Sequence, residues 1–211
     1  MSEDLDALAK RDEEEQAEWR RQFEAQQIES VKRERAARYQ TLCPDGYKDT
    51  VPSKIPNQEA MKKVLAWTPG PRGLLLKGNT GRGKTRSVWL MLKPIIENTA
   101  TTVMAYNGVT WALAVSRAFR ETDETEGFIN RVAKVDILVL DDIFKASIMS
   151  DTQARALYCV LEERMAWKRP TIMTTNSSGK DLLMKLPEIW RGEDGESLLR
   201  RIRESAEIVQ F

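Results

Sequence analysis

The chain has 211 residues, with 33 Lys and Arg against 32 Asp and Glu, no histidine, and a formal net charge of +1. That length suits one ordinary domain with an appendage, and an apolar share of 41% before glycine supports a real core. The missing histidines exclude a His-based catalytic dyad or triad and any His-ligated metal site; two distant cysteines, Cys43 and Cys159, argue against a zinc knuckle or disulfide framework and fit a reducing compartment.

The N-terminus is charged from its third residue and has no apolar core of a secretory signal. The apolar runs are short, such as Ile137–Leu140, against the ~20 residues of a membrane span. The expectation is a soluble, cytoplasmic protein with no membrane contact.

Residues 1–40 carry 11 acids and 8 bases, net −3, so the remainder is net +4. They hold no Gly or Pro and are rich in good helix formers. Opposite charges recur at i,i+4: Arg20–Glu24, Glu29–Arg33, Glu34–Arg38. One long helix is predicted from about Glu3 to Tyr39. Its apolar residues (Leu5, Leu8, Trp19, Phe23, Ile28, Val31) hold no clean heptad, which argues against a self-contained coiled coil. It is either a solvated helix or a partner-binding arm anchored by Trp19 and Phe23. Residues 41–56, with Pro44, Gly46, Pro52 and Pro56, read as a linker. Residues 57–211 read as the main domain, opening with a helix capped by Asn57 that runs to Trp67.

From Gly73 on, strand and helix patterns alternate. Strands are predicted at Gly73–Lys77, Thr101–Tyr106, Val135–Asp141, Thr171–Asn176 and Glu207–Gln210. The helices are Lys84–Glu97, bent or ended by Pro94, then Val109–Arg120, Glu124–Lys134 and Asp151–Lys168. Apolar, β-branched strands between helices imply an α/β fold with a mostly parallel five-stranded sheet covered on both faces.

Gly78-Asn79-Thr80-Gly81-Arg82-Gly83-Lys84-Thr85 matches G-x-x-x-x-G-K-[ST] between an apolar strand and a helical pattern. Glycines let successive backbone N–H groups converge on phosphates, and the helix N-terminus adds partial positive charge. Lys84 is the point charge for the terminal phosphates of ATP, and the Thr85 hydroxyl is a Mg²⁺ ligand. Ile137–Leu140 leads into Asp141 and Asp142 at a strand end, where ligands bind in open parallel sheets. Asp141 is expected to hold Mg²⁺ through its waters and Asp142 to activate the attacking water. Asn176, ending the next strand, is suited to contact that water and the γ-phosphate; alternatively it is a turn residue.

GNTGRGKT, ILVLDDIF, RPTIMTTN and GESLLRRIRE together resemble AAA+ ATPases of the DnaC/IstB-like family over about residues 70–211. That resemblance implies a P-loop NTPase core and an arginine finger at Arg201, acting in trans on a neighbouring subunit. Arg200 and Arg203 are the neighbours that could be confused with it, and the alternative is a basic helix end complementing its own dipole. Asp142 stands where most AAA+ proteins carry Glu, which implies slow turnover. No helical lid and no second sensor arginine are expected before Phe211, which implies hydrolysis dependent on assembly. Residues 107–134 offer Arg117, Arg120, Arg131 and Lys134 as single-stranded DNA contacts, with Trp111, Val115 and Phe119 as a core stripe. The resemblance implies a loader of a replicative DNA helicase held through residues 1–40, compact and in the style of a phage-encoded version. The alternatives are a transposition helper with a transposase partner, a small-molecule kinase, and a nucleotide-gated binding protein.

Overall fold

The computed structural model describes residues 2–120, 124–144, 149–177 and 179–211, and of residues 2–15 and 179 the backbone alone. The side chains of Leu5 and Leu8 therefore lie outside the described residues. Five strands follow in chain order: β1 (Gly73–Lys77), β2 (Val103–Asn107), β3 (Ile137–Asp141), β4 (Thr171–Thr175) and β5 (Ala206–Gln210). They form one sheet in the order β2-β3-β4-β1-β5, every pair parallel. In register, Lys77 faces Thr175, Met173 faces Leu140 and Asp141 faces Asn107. The strand ends therefore line up along one carboxyl edge.

Alternation of side chains splits the core into two layers. Leu74, Leu76, Ile137 and Val139 point to one face, packed with Tyr39, Val64, Val88, Leu92 and Ile96. Leu75, Leu138 and Leu140 point to the other, packed with Trp111, Val115, Leu157, Leu161 and Leu198. The first layer is supplied by the end of α1 (Ser2–Leu42), by α3 (Gln58–Leu65) and by α4 (Lys84–Asn98). The second is supplied by α5 (Gly108–Ala118), α6 (Glu124–Lys134), α7 (Asp151–Ala166) and α9 (Glu193–Glu204). Two short helices, α2 (Asp45–Lys48) and α8 (Gly179–Lys185), complete the α-helices of the described residues, beside 3-10 turns at Pro52–Lys54 and Glu188–Trp190.

The differences from the sequence expectations have local causes. β2 starts at Val103 because Thr102 is drawn aside: its N–H and hydroxyl each lie 2.7 Å from an Asp136 carboxylate oxygen, whose pKa the Thr102 N–H pulls down. β3 starts at Ile137 because the carbonyls of Val135 and Asp136 accept from the guanidinium of Arg164. α7 stops at Ala166, before Lys168 takes a left-handed φ of 53°. α4 runs through Pro94 to Asn98, with Leu92 and Ile96 buried on either side of the proline. Phe119 caps the end of α5 and is 40% exposed, so the core stripe of that helix is Trp111 and Val115 without it.

The segment between α1 and α3 is folded. Tyr39 and Cys43 are buried in the first layer, and Arg38 donates to the carbonyl of Thr101 at 2.6 Å. α2 follows, then a 3-10 turn at Pro52–Lys54; the carbonyls of Pro52 and of Ile55, just past the turn, both accept from the Gln58 amide. Asn57 caps α3 as expected, accepting from the Ala60 N–H at 3.0 Å.

Candidate active site

The loop from Gly78 to Gly83 leaves β1 and enters α4. Gly83 holds φ at +97°, and a Cβ there would lie 2.7 Å from Cγ2 of the buried Ile55. Glycine is required on both counts: the conformation is left-handed and the linker packs directly on the loop. Lys84 is buried, 6% exposed, and its ammonium donates to the carbonyls of Gly78 at 2.7 Å and Asn79 at 3.0 Å, spanning the loop.

Across the loop, Thr85 Oγ1 donates to Asp141 Oδ1 at 2.7 Å, which joins α4 to the end of β3. Asp142 follows with φ +46°, uncommon for a residue with a side chain. Asn176, one residue past β4, brings its amide nitrogen to 3.5 Å from Thr80 Oγ1. Thus Thr80, Lys84, Thr85, Asp141, Asp142 and Asn176 come from the phosphate loop, the start of α4 and the ends of β3 and β4, on one edge of the sheet. Of these, Thr80, Lys84, Thr85 and Asp142 line a cleft of about 330 Å³, within the usual size of a small-molecule site. A second hollow of about 270 Å³ adjoins it, lined by Thr85, Asn107, Asp141 and Asp142.

Sequence reasoning missed three contributors. Tyr47, on α2, lines both hollows, and the Arg86 guanidinium lies over its ring at 5.8 Å from the centroid. Arg86 also donates to Thr50 Oγ1 at 3.3 Å, so the linker forms one wall of the cleft. The third is Thr174 on β4, which donates to Asp141 Oδ1 at 2.6 Å and accepts from the Asp142 N–H at 2.9 Å. A lone aromatic between Pro44 and Pro52 was the available signal for Tyr47; Thr174 left none beyond a threonine in an apolar strand.

The donor set fits Mg²⁺. With the Thr85 proton committed to Asp141, the hydroxyl keeps acceptor capacity for a hard cation. Among the described residues no group of three or more acidic or thiol side chains converges. An ion here would rely on Thr85, on Asp141 and on nucleotide phosphates, which is how Mg²⁺ is usually held.

Arg201 lies elsewhere, on α9. It is paired with the Glu162 carboxylate, donates to Ser197 Oγ, and stacks over the Tyr158 ring at 4.8 Å from the centroid. Its side chain is 17% exposed and lines neither hollow at the sheet edge. Arg200 and Arg203 are exposed and line a separate open groove between α8 and α9, with Lys180, Glu193 and Glu196. Arg117, Arg120, Arg131 and Lys134 are all exposed, at the ends of α5 and α6.

No family model matches the chain. It is 29% identical over 139 residues to the replicative helicase loader DnaI of Bacillus subtilis (strain 168), an alignment covering 63% of this chain and 42% of that protein. The chain thus spans less than half the length of that relative. Among solved structures it is similar to the DnaC helicase loader, at 24% identity and TM-score 0.58 over 83% of this chain and 99% of that one. It also resembles a DnaI crystal structure, at 21% identity and TM-score 0.57 over 72% and 80% of the two chains. AMPPCP-bound DnaA from Aquifex aeolicus shares the architecture at 17% identity and TM-score 0.57, over 73% and 45%. No helix among the described residues is long and apolar enough to cross a membrane. The chain has the fold of the AAA+ P-loop NTPases, in a form similar to the DnaC and DnaI helicase loaders.

Proposed function

We propose that the chain binds ATP with Mg²⁺ at the sheet edge, hydrolyses it to ADP and phosphate, and acts in DNA replication as a loader of a replicative helicase. The observation that carries the chemistry is the meeting of Lys84, Thr85 and Asp142 in one cleft, with Asp141 bonded to Thr85 and Asn176 to Thr80. The similarity to DnaI supports the loading role.

In this reading Lys84 exchanges its two carbonyl partners for phosphate oxygens, with the N–H groups of the loop around it. Bound Mg²⁺ would neutralise charge on the β- and γ-phosphate oxygens. Thr85 would be its direct ligand, and Asp141 would hold its waters. Asp142 would orient the attacking water and accept its proton, and Asn176 would donate to that water and to the γ-phosphate. Arg201 would complete the site of a neighbouring copy, which requires assembly to exchange its contacts with Glu162 and Tyr158 for a phosphate. Residues 1–40 would hold the helicase, with Trp19 and Phe23 as anchors. The exposed Arg117, Arg120, Arg131 and Lys134 would contact single-stranded DNA.

The test is ATP turnover and helicase capture by the purified chain. Asp142→Asn is expected to bind ATP and lose hydrolysis. Full hydrolysis by that variant would remove Asp142 from its role. Capture of a transposase instead of a helicase would reassign the protein to transposition.

A further inference from the structure

Thr174 is buried in the middle of the sheet, 1% exposed, on the strand beside β3. A threonine hydroxyl has one proton to donate and two lone pairs to accept with. Here both functions are used, on two consecutive residues of the neighbouring strand end. The proton goes to Asp141 Oδ1 at 2.6 Å, and a lone pair receives the Asp142 N–H at 2.9 Å. Asp141 Oδ1 also receives the Thr85 hydroxyl at 2.7 Å. Two hydroxyl donors therefore share that one oxygen, which ties the carboxylate to both α4 and β4.

The second bond concerns conformation. Asp142 holds φ at +46°, a left-handed value uncommon for residues with a side chain but one that Asp tolerates better than most. Its N–H leaves the sheet ladder and is caught by Thr174 Oγ1. This bond fixes the left-handed turn that carries the Asp142 side chain into the walls of both hollows. Valine has the same shape and supplies neither bond; serine supplies both.

We infer that Thr174 is a positioning residue for nucleotide hydrolysis, setting the Asp141 carboxylate and the Asp142 turn through a single hydroxyl. This rests on the ATPase reading above, so the test separates the two. Thr174→Val and Thr174→Ser are compared with the wild-type full chain in three measurements: ATP turnover at saturating protein concentration, its Mg²⁺ dependence, and hydrogen exchange of the Asp142 amide. Thr174→Val is expected to lower kcat about 10- to 100-fold, the range for losing a partner that orients a ligating or catalytic group. KM for ATP should stay within about threefold of wild type, half-maximal Mg²⁺ should rise, and the Asp142 amide should lose protection. Thr174→Ser should restore all of these. Thr174→Val with wild-type kcat and Mg²⁺ dependence overturns the inference. So does unchanged Asp142 exchange, or a serine variant as impaired as the valine one. Absence of turnover in the wild type, with Asp142 protection lost in Thr174→Val and restored in Thr174→Ser, would sink the ATPase reading and leave the hydrogen-bonded geometry standing.

Discussion

Arg164 carries a cation into the second core layer, at 1% exposure. It donates to the carbonyls of Val132, Ala133, Val135, Asp136 and Pro170 and to Thr171 Oγ1. Burial pushes its pKa down to about 10, so it remains charged at neutral pH. The guanidinium closes the carbonyl end of α6 and ties it to the starts of β3 and β4. Replacing it would leave several buried carbonyls without donors, at ~1–3 kcal/mol each where water cannot enter. Arg164→Met is therefore expected to destabilise the fold by more than about 3 kcal/mol in denaturant unfolding. A loss under about 1 kcal/mol would show that the carbonyls find other partners. In the cleft, Lys84→Ala is expected to abolish ATP binding in a fluorescent-nucleotide titration without loss of folding. Affinity retained within a few-fold would remove the phosphate-loop assignment.

The informative element is α1, whose two ends meet different surroundings. From residue 16 to residue 34 its side chains are exposed, including Trp19 at 64% and Phe23 at 47%, stacked at 5.3 Å between ring centroids. Glu29 and Arg33 form the expected i,i+4 pair at 2.6 Å, worth little at such exposure. In its last turns Arg38 and Tyr39, and just past its end Cys43, join the sheet domain. Deleting residues 1–34 should leave basal ATP turnover and the melting temperature nearly unchanged. Extending the deletion through Cys43 removes the buried Tyr39, for which a cost of ~3–5 kcal/mol is expected. Equal melting temperatures for the two truncations would contradict that anchoring. Trp19→Ala with Phe23→Ala should weaken helicase binding at constant stability if these rings are the anchors.

On the scale of the whole molecule, the cleft and Arg201 lie in different parts of the fold, and Arg201 is engaged by its own chain. A trans-acting arginine therefore predicts turnover per subunit that rises with protein concentration. Arg201→Ala should keep ATP binding and lose that rise. Mixing it with Asp142→Asn should restore activity, because one protein keeps an intact cleft and the other an intact arginine. If the two co-assemble and activity does not return, Arg200 or Arg203 becomes the residue to examine, since both are exposed where Arg201 is not.

The alternation of apolar and polar residues and the spacing of glycines are local properties. They suffice for the five strands, the phosphate loop, the two acids at the end of β3 and the start of α4. Each depends on neighbours in sequence: a strand run, a left-handed glycine, a helix N-terminus. Tertiary structure alone decided what depends on residues distant in sequence. It packed Ile55 on Gly83 and set Tyr47 beside Arg86, turning a proline-rich stretch into a wall of the cleft. It used Thr174 to join Asp141 and Asp142, because strand order places β4 next to β3 after a long crossover. It also drew Arg201 onto Glu162 and Tyr158, a pairing no spacing rule contains, since side chains meet there only after α7 and α9 pack on the same face of the sheet.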